Sequence, residues 1–249
     1  MRSSKSSYLR LLAAAYVSLL PLAPGAPAPA SVSAADDPFG AAVEAARKTH
    51  DEKQLHSLKA QLEQIIAQNP NDAAIYFELA KVHEYFLDVY EMRKDKKAAG
   101  EAVDKAIDAA QRSIQLNDKS ADTHSLLADL YGRKISLGNA MFAGPKFGPK
   151  VNEENAKAMA LDDKNPRVWA SLGRQYLMTP KMFGGDVAKA IESFQKSLAF
   201  DSSRDETRVW LAKSFQKQGD RAKARDAVQH AVALNPDSPW VRNAANSLN

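Results

Sequence analysis

The chain has 249 residues, with 34 basic side chains, 30 acidic ones, five histidines and no cysteine. The lack of cysteine excludes disulfides, thiolate catalysis, Cys-held zinc or iron–sulfur sites and a lipid-bearing N-terminal Cys. Alanine is abundant, β-branched runs are scarce and periodic segments are long, which predicts an all-α fold.

Residues 1–34 read as a signal peptide. Arg2, Lys5 and Arg10 precede the apolar stretch Leu11–Ala23, and a small-residue tail ends at Val32-Ser33-Ala34. The apolar run is broken at Pro21 and falls short of the roughly 20 residues that span a bilayer. Cleavage is therefore expected rather than a retained anchor, leaving a periplasmic or secreted protein with no stable membrane insertion. The remaining chain carries 31 basic against 30 acidic residues. Their signs alternate along helical faces, so no nucleic-acid partner is expected.

Residues 35–249 read as a single helical domain. Asp36-Asp37-Pro38 opens a short helix over Ala41–Lys48, and Leu55, Leu58, Leu62, Ile65 and Ile66 pattern a second over Asp51–Gln68. Together they make a half-matching or capping unit over 41–70. In the next unit, 73–118, Tyr76, Leu79, Ala80 and His83 mark one helix, and Ala106, Ala110 and Ser113 mark its partner. The stretch Glu84–Glu101 between them has helical propensity, so both helices are expected to be extended around an exposed turn at Met92–Lys97.

Unit 121–163 carries Leu127, Ala128 and Tyr131, then Ala158 and Leu161. Its Gly138–Lys150 segment holds Pro145 and Pro149 and is expected to be a loop. Unit 166–202 is nearly regular, with a long turn at Leu177–Asp186 in which Asp186 is the expected N-cap of the following helix. Unit 205–238 follows, and Ser238-Pro239 starts a capping helix over 239–248.

The last full unit, Asp205–Ser238, places Leu211-Ala212, Phe215, Ala224, Val228, Ala231 and Pro236 at the offsets of a repeat about 34 residues long. Trp169-x-x-Leu172-Gly173-x-x-Tyr176 copies the W-x-x-L-G-x-x-Y signature of the same repeat. From about Asp51 onward the chain resembles a bacterial exported tetratricopeptide-repeat (TPR) protein. The turns Lys146–Lys150 and Thr179–Asp186 resemble those of periplasmic TPR proteins without assigned chemistry. More distantly, the layout is similar to TPR-like regulators of microtubule dynamics and to TPR proteins of TRAP transporters. The resemblance implies a right-handed α-solenoid of antiparallel helix pairs that binds a protein, peptide or small ligand on its concave face. Departures are the long turns and the missing proline at Asp118, Asp163 and Ser202.

Two candidate sites follow. On the concave face the family pattern places Lys81, Tyr85, Arg133, Arg174 and Lys213, a strip suited to a carboxylate or acidic peptide, unless the charges pair with Asp129, Glu84 and Glu206. The asparagines of a chaperone-type carboxylate clamp are absent from it. On the turns, Phe142, Phe147, Met182 and Phe183 either cap the core or form an apolar lip for a partner. His83 reads as a packed core residue. No histidine spacing suits a metal, and no nucleophile elbow, phosphate loop or cofactor motif is present. The expected function is a non-catalytic envelope scaffold. The alternatives are a ligand- or peptide-binding accessory of a transporter, or an enzyme subunit of unrecognised chemistry.

Overall fold

Side-chain caps set where the helices begin. Asp51, Asp72, Asp95, Ser120, Asn139, Asn165, Asp186 and Asp220 each accept a hydrogen bond from a first-turn backbone N–H. The computed structural model describes residues 38–248, so the predicted signal peptide, 1–34, lies outside the described residues. Within them the helices are α1 Pro38–Thr49, α2 Glu52–Gln68, α3 Ala73–Met92, α4 Lys96–Leu116, α5 Ala121–Leu137 and α6 Ala140–Leu161. They continue as α7 Pro166–Met178, a 3₁₀ turn Lys181–Phe183, α8 Val187–Phe200, α9 Asp205–Gln218, α10 Arg221–Leu234 and α11 Pro239–Leu248.

Consecutive helices pair, and each pair stacks on the next. The first helices run parallel. Ser171 Oγ of α7 donates to the Ser125 carbonyl of α5, and four residues further along α5 Asp129 meets Arg174. Small residues let the helices close up. Ala80, Ala106, Ala128, Ala158, Ala190, Ala212, Ala224 and Ala231 are all buried. Phe194, fully buried, lies so close to Gly173 that an added Cβ would stand 2.7 Å from its ring.

The long turns resolve in three ways. α3 and α4 are extended as expected and meet at Arg93–Asp95. Thr179–Asp186 folds into one 3₁₀ turn, and an added Cβ on Gly185 would stand 1.7 Å from the Thr179 carbonyl oxygen.

Gly138–Lys150 overturns its expectation, because most of it is the first half of α6. Pro145 and Pro149 lie four apart on the exposed face of α6, so the carbonyls they leave without a helical N–H partner, those of Met141 and Pro145, open toward water. The opposite face is anchored by Phe147 stacked on Tyr131 (5.6 Å), buried Val151, and Glu154 bonded to His124 at 2.5 Å.

α1 has no counterpart in the repeat pattern. It buries Val43 and Ala46 against α2 and α3, and its C-terminal end reaches the last repeat. Arg47 pairs with Asp205 at 2.9 Å and Glu206 at 3.2 Å, while Asn235 Nδ2 donates to the Lys48 carbonyl. α1 thus ties the first repeat to the last.

His83 is buried beside Phe86, and burial followed by the charges of Lys59 and Lys105 lowers its pKa to about 4.

Gly173→Ala should lower unfolding free energy by about 1–3 kcal/mol through overpacking, read by urea denaturation. Adding Phe194→Leu to that variant should recover part of the loss if the Phe194 ring is the cause.

Candidate functional site

The inner face is formed by the first helices, and its side chains are mostly satisfied by one another. Successive first helices are linked by buried ion pairs. Arg133 of α5 donates to Asp88 (2.7 Å) and Glu91 (2.8 Å) of α3, and Arg174 of α7 donates Nε to Asp129 of α5 at 2.8 Å. Arg167 of α7 faces Asp122 of α5 at 3.4 Å. Burial alone would raise the Asp88 carboxyl, but the charge of Arg133, and then the neighbouring His50 ring, hold it below its usual range. Asp205 behaves likewise, with Arg47 outweighing burial.

Three of the four cations predicted along this face are therefore already engaged. Lys81, buried, pairs with Glu78 at 3.0 Å, Arg133 with Asp88 and Glu91, and Arg174 with Asp129. Tyr85 is buried at 2% exposure, which raises its phenol pKa.

Lys213 differs. Among the described residues no carboxylate lies within 4 Å of it, and its ammonium sits 4.2 Å from the Trp210 ring centre and 5.3 Å from that of Trp240. Burial, then the charge of Arg133, lowers its pKa below 10.5. It lines an open cavity of about 460 Å³ with Leu177, Met178, Trp210, Gln216 and Lys217. Lys217 donates to the Leu177 carbonyl at 2.6 Å, which fixes one wall.

Glu84 faces the same interior. It makes no hydrogen bond or ion pair among the described residues. Burial raises its pKa to about 7; Arg167 opposes the shift, while Asp88, Glu206 and Asp129 add to it.

The predicted turn residues do not form one cluster. Phe147 turns inward onto Tyr131, whereas Phe142, Met182 and Phe183 are 74%, 82% and 72% exposed. Asp186 caps α8, accepting from the Ala188 and Lys189 amides. Among the described residues no group of three or more His, Asp and Glu could hold a metal ion.

Sequence reasoning missed Trp210, Trp240 and Lys217. Trp210 was legible, because Trp-x-x-Lys at i, i+3 on a helix puts the ring beside Lys213. Trp240 was not, since α11 must fold back to bring it there.

Glu84→Gln mimics the neutral carboxyl. A folded pKa raised above the unfolded value near 4.5 means the native state is favoured below that pH, and stability drains away as pH rises through about 7. The variant should match the parent at pH 4 and exceed it by about 2 kcal/mol at pH 8, after allowance for solvent screening. Paired urea titrations at the two pH values measure this difference.

No family model and no curated protein matches the chain. In structure it is similar to TTC0263, a thermophilic TPR protein of Thermus thermophilus, with TM-score 0.60 and 13% identity over 84% of this chain and 98% of that one. It is also similar to MamA (TM-score 0.40, 16% identity, covering 76% and 93% of the two chains). YrrB, described as a TPR protein with an unusual peptide-binding site, gives TM-score 0.38 and 12% identity over 84% and 98%. The helix pairing and the likeness to the Thermus protein place the chain among TPR-type α-solenoids by fold.

Proposed function

We propose that this chain is an exported, non-catalytic scaffold that holds a carboxylate-bearing segment of a partner protein at the Lys213 end of its inner face. The observation that carries the reading is that Lys213, unlike Lys81, Arg133 and Arg174, has no carboxylate partner among the described residues and lines an open cavity of about 460 Å³. A carboxylate entering there would gain charge-assisted bonds from an ammonium flanked by two indole rings. Leu177, Met178 and Trp210 would take an adjoining apolar side chain. The ion-pair ladder and α1 occupy the rest of the face, so the bound stretch is short. Its receptor is preorganised, which limits the ordering cost on binding.

Export rests on the basic, apolar and small-residue order of Arg2–Ala34. A second reading, a small carboxylate carried for a transporter, is favoured by the cavity volume, which falls within the roughly 300–1,000 Å³ of ligand sites.

The test is a titration of short acidic peptides and small carboxylates against the protein, read by Trp210 and Trp240 fluorescence. Lys213→Ala should weaken the best binder about tenfold, the loss of one charged hydrogen bond. Affinity should also fall on the alkaline side at a pH below 10.5, where Lys213 loses its proton. Unchanged affinity in Lys213→Ala would refute the site.

A further inference from the structure

The four most exposed large apolar side chains of the described residues come from two turns: Met141 (77%) and Phe142 (74%) from α5–α6, and Met182 (82%) and Phe183 (72%) from α7–α8. α5 and α7 run parallel, so both turns lie at one edge of the solenoid, where first helices end and second helices begin. The fold does not use these side chains. Phe147, further along α6, supplies the packing of that helix against Tyr131.

The same edge carries exposed lysines, two of which, Lys146 and Lys150, lean over the Phe147 and Tyr131 rings. Lys94, Lys96, Lys97, Lys146, Lys150 and Lys181 are exposed and make no ion pair among the described residues. Three of the nearby acids are committed elsewhere, although exposed Glu101 of α4 is not. Asp95 and Asp186 accept from backbone amides at helix starts, and Glu91 is held by Arg133. The opposite edge, with turns at Asn69–Asp72, Asn117–Ser120 and Asp162–Asn165, has none of the four exposed side chains.

Exposed aromatic and thioether groups ringed by unpaired lysines match the chemistry of a bilayer interface. Apolar tips enter the acyl boundary while ammonium groups meet anionic headgroups. A second copy suits the edge poorly, since a two-fold contact would face these lysines with their equivalents. We infer that this turn edge docks the protein on an anionic membrane surface, with Met141, Phe142, Met182 and Phe183 entering the interface. The docking is peripheral, as no described helix is long and apolar enough to cross a membrane. It also leaves the Lys213 cavity to its own ligand, so the two readings stand or fall separately.

The absence of cysteine makes the test direct. Full-length Phe142→Cys, Phe183→Cys and Asp118→Cys proteins, the last reporting on the opposite edge, are labelled with a solvatochromic dye. Each is then mixed with vesicles of phosphatidylcholine alone or with equal phosphatidylglycerol. Emission should shift to the blue at the two Phe positions with phosphatidylglycerol vesicles only, and not at Asp118. About 0.5 M salt should reverse the shift. Lys146→Ala combined with Lys181→Ala should weaken binding about thirtyfold, roughly fivefold for each lysine removed. The inference is overturned by no shift at the Phe positions, by an equal shift at Asp118 as residues 1–34 alone would give, or by a shift without vesicles that grows with protein concentration and marks self-association.

Discussion

The inner face depends on a ladder of ion pairs with buried carboxylates that joins α3 to α5 and α5 to α7. Asp88–Arg133 and Asp129–Arg174 span the same 45 residues, so the ladder advances with the repeat. Such pairs add little net stability, because desolvation offsets most of their attraction, but removing one partner strands a buried charge at a cost of about 3–5 kcal/mol. The ladder therefore acts on register. A repeat that slipped along its neighbour would leave guanidinium and carboxylate groups unpaired in a closed face. α1 ends the ladder, carrying Arg47 to Asp205 and Glu206 of the last repeat.

This arrangement changes what the inner face can do. A solenoid groove lined with free cations would accept a long acidic segment. Here Arg133 and Arg174 are already satisfied by the protein's own carboxylates, and a ligand would have to displace them. Binding capacity is left where the ladder stops, at Lys213, whose neighbours are indole rings rather than acids. The turn edge is the second surface the fold does not consume. Its four apolar tips are exposed, and its lysines make no ion pair among the described residues.

Much of the fold was legible because close helix packing imposes residue size at fixed offsets, and Leu211-Ala212, Phe215 and Ala224 keep those offsets. The extended α3 and α4 followed from propensity. Pro145 and Pro149 signal a loop by the hydrogen bonds they remove, but on the exposed face of α6 water takes the place of those bonds and the helix persists. The candidate site was legible as a list of inward positions but not as a state of charge. Pairing of the strip with Asp129, Glu84 and Glu206 is the alternative read from the sequence. The structure shows it for Arg174 and Asp129, whereas Glu206 meets Arg47, and the Arg47–Asp205 pair joins residues at opposite ends of the chain. No local pattern carries that information.

The proposed binding rests on Lys81, Arg133 and Arg174 being engaged by the protein's own carboxylates while Lys213 is left open to a ligand. Hydrogen–deuterium exchange with and without a saturating acidic peptide tests it most directly. New protection is expected over residues 210–217 and the end of α7, with α3 and the middle of α5 unchanged. Protection spread along α3 and α5, across Lys81, Tyr85 and Arg133, would contradict it.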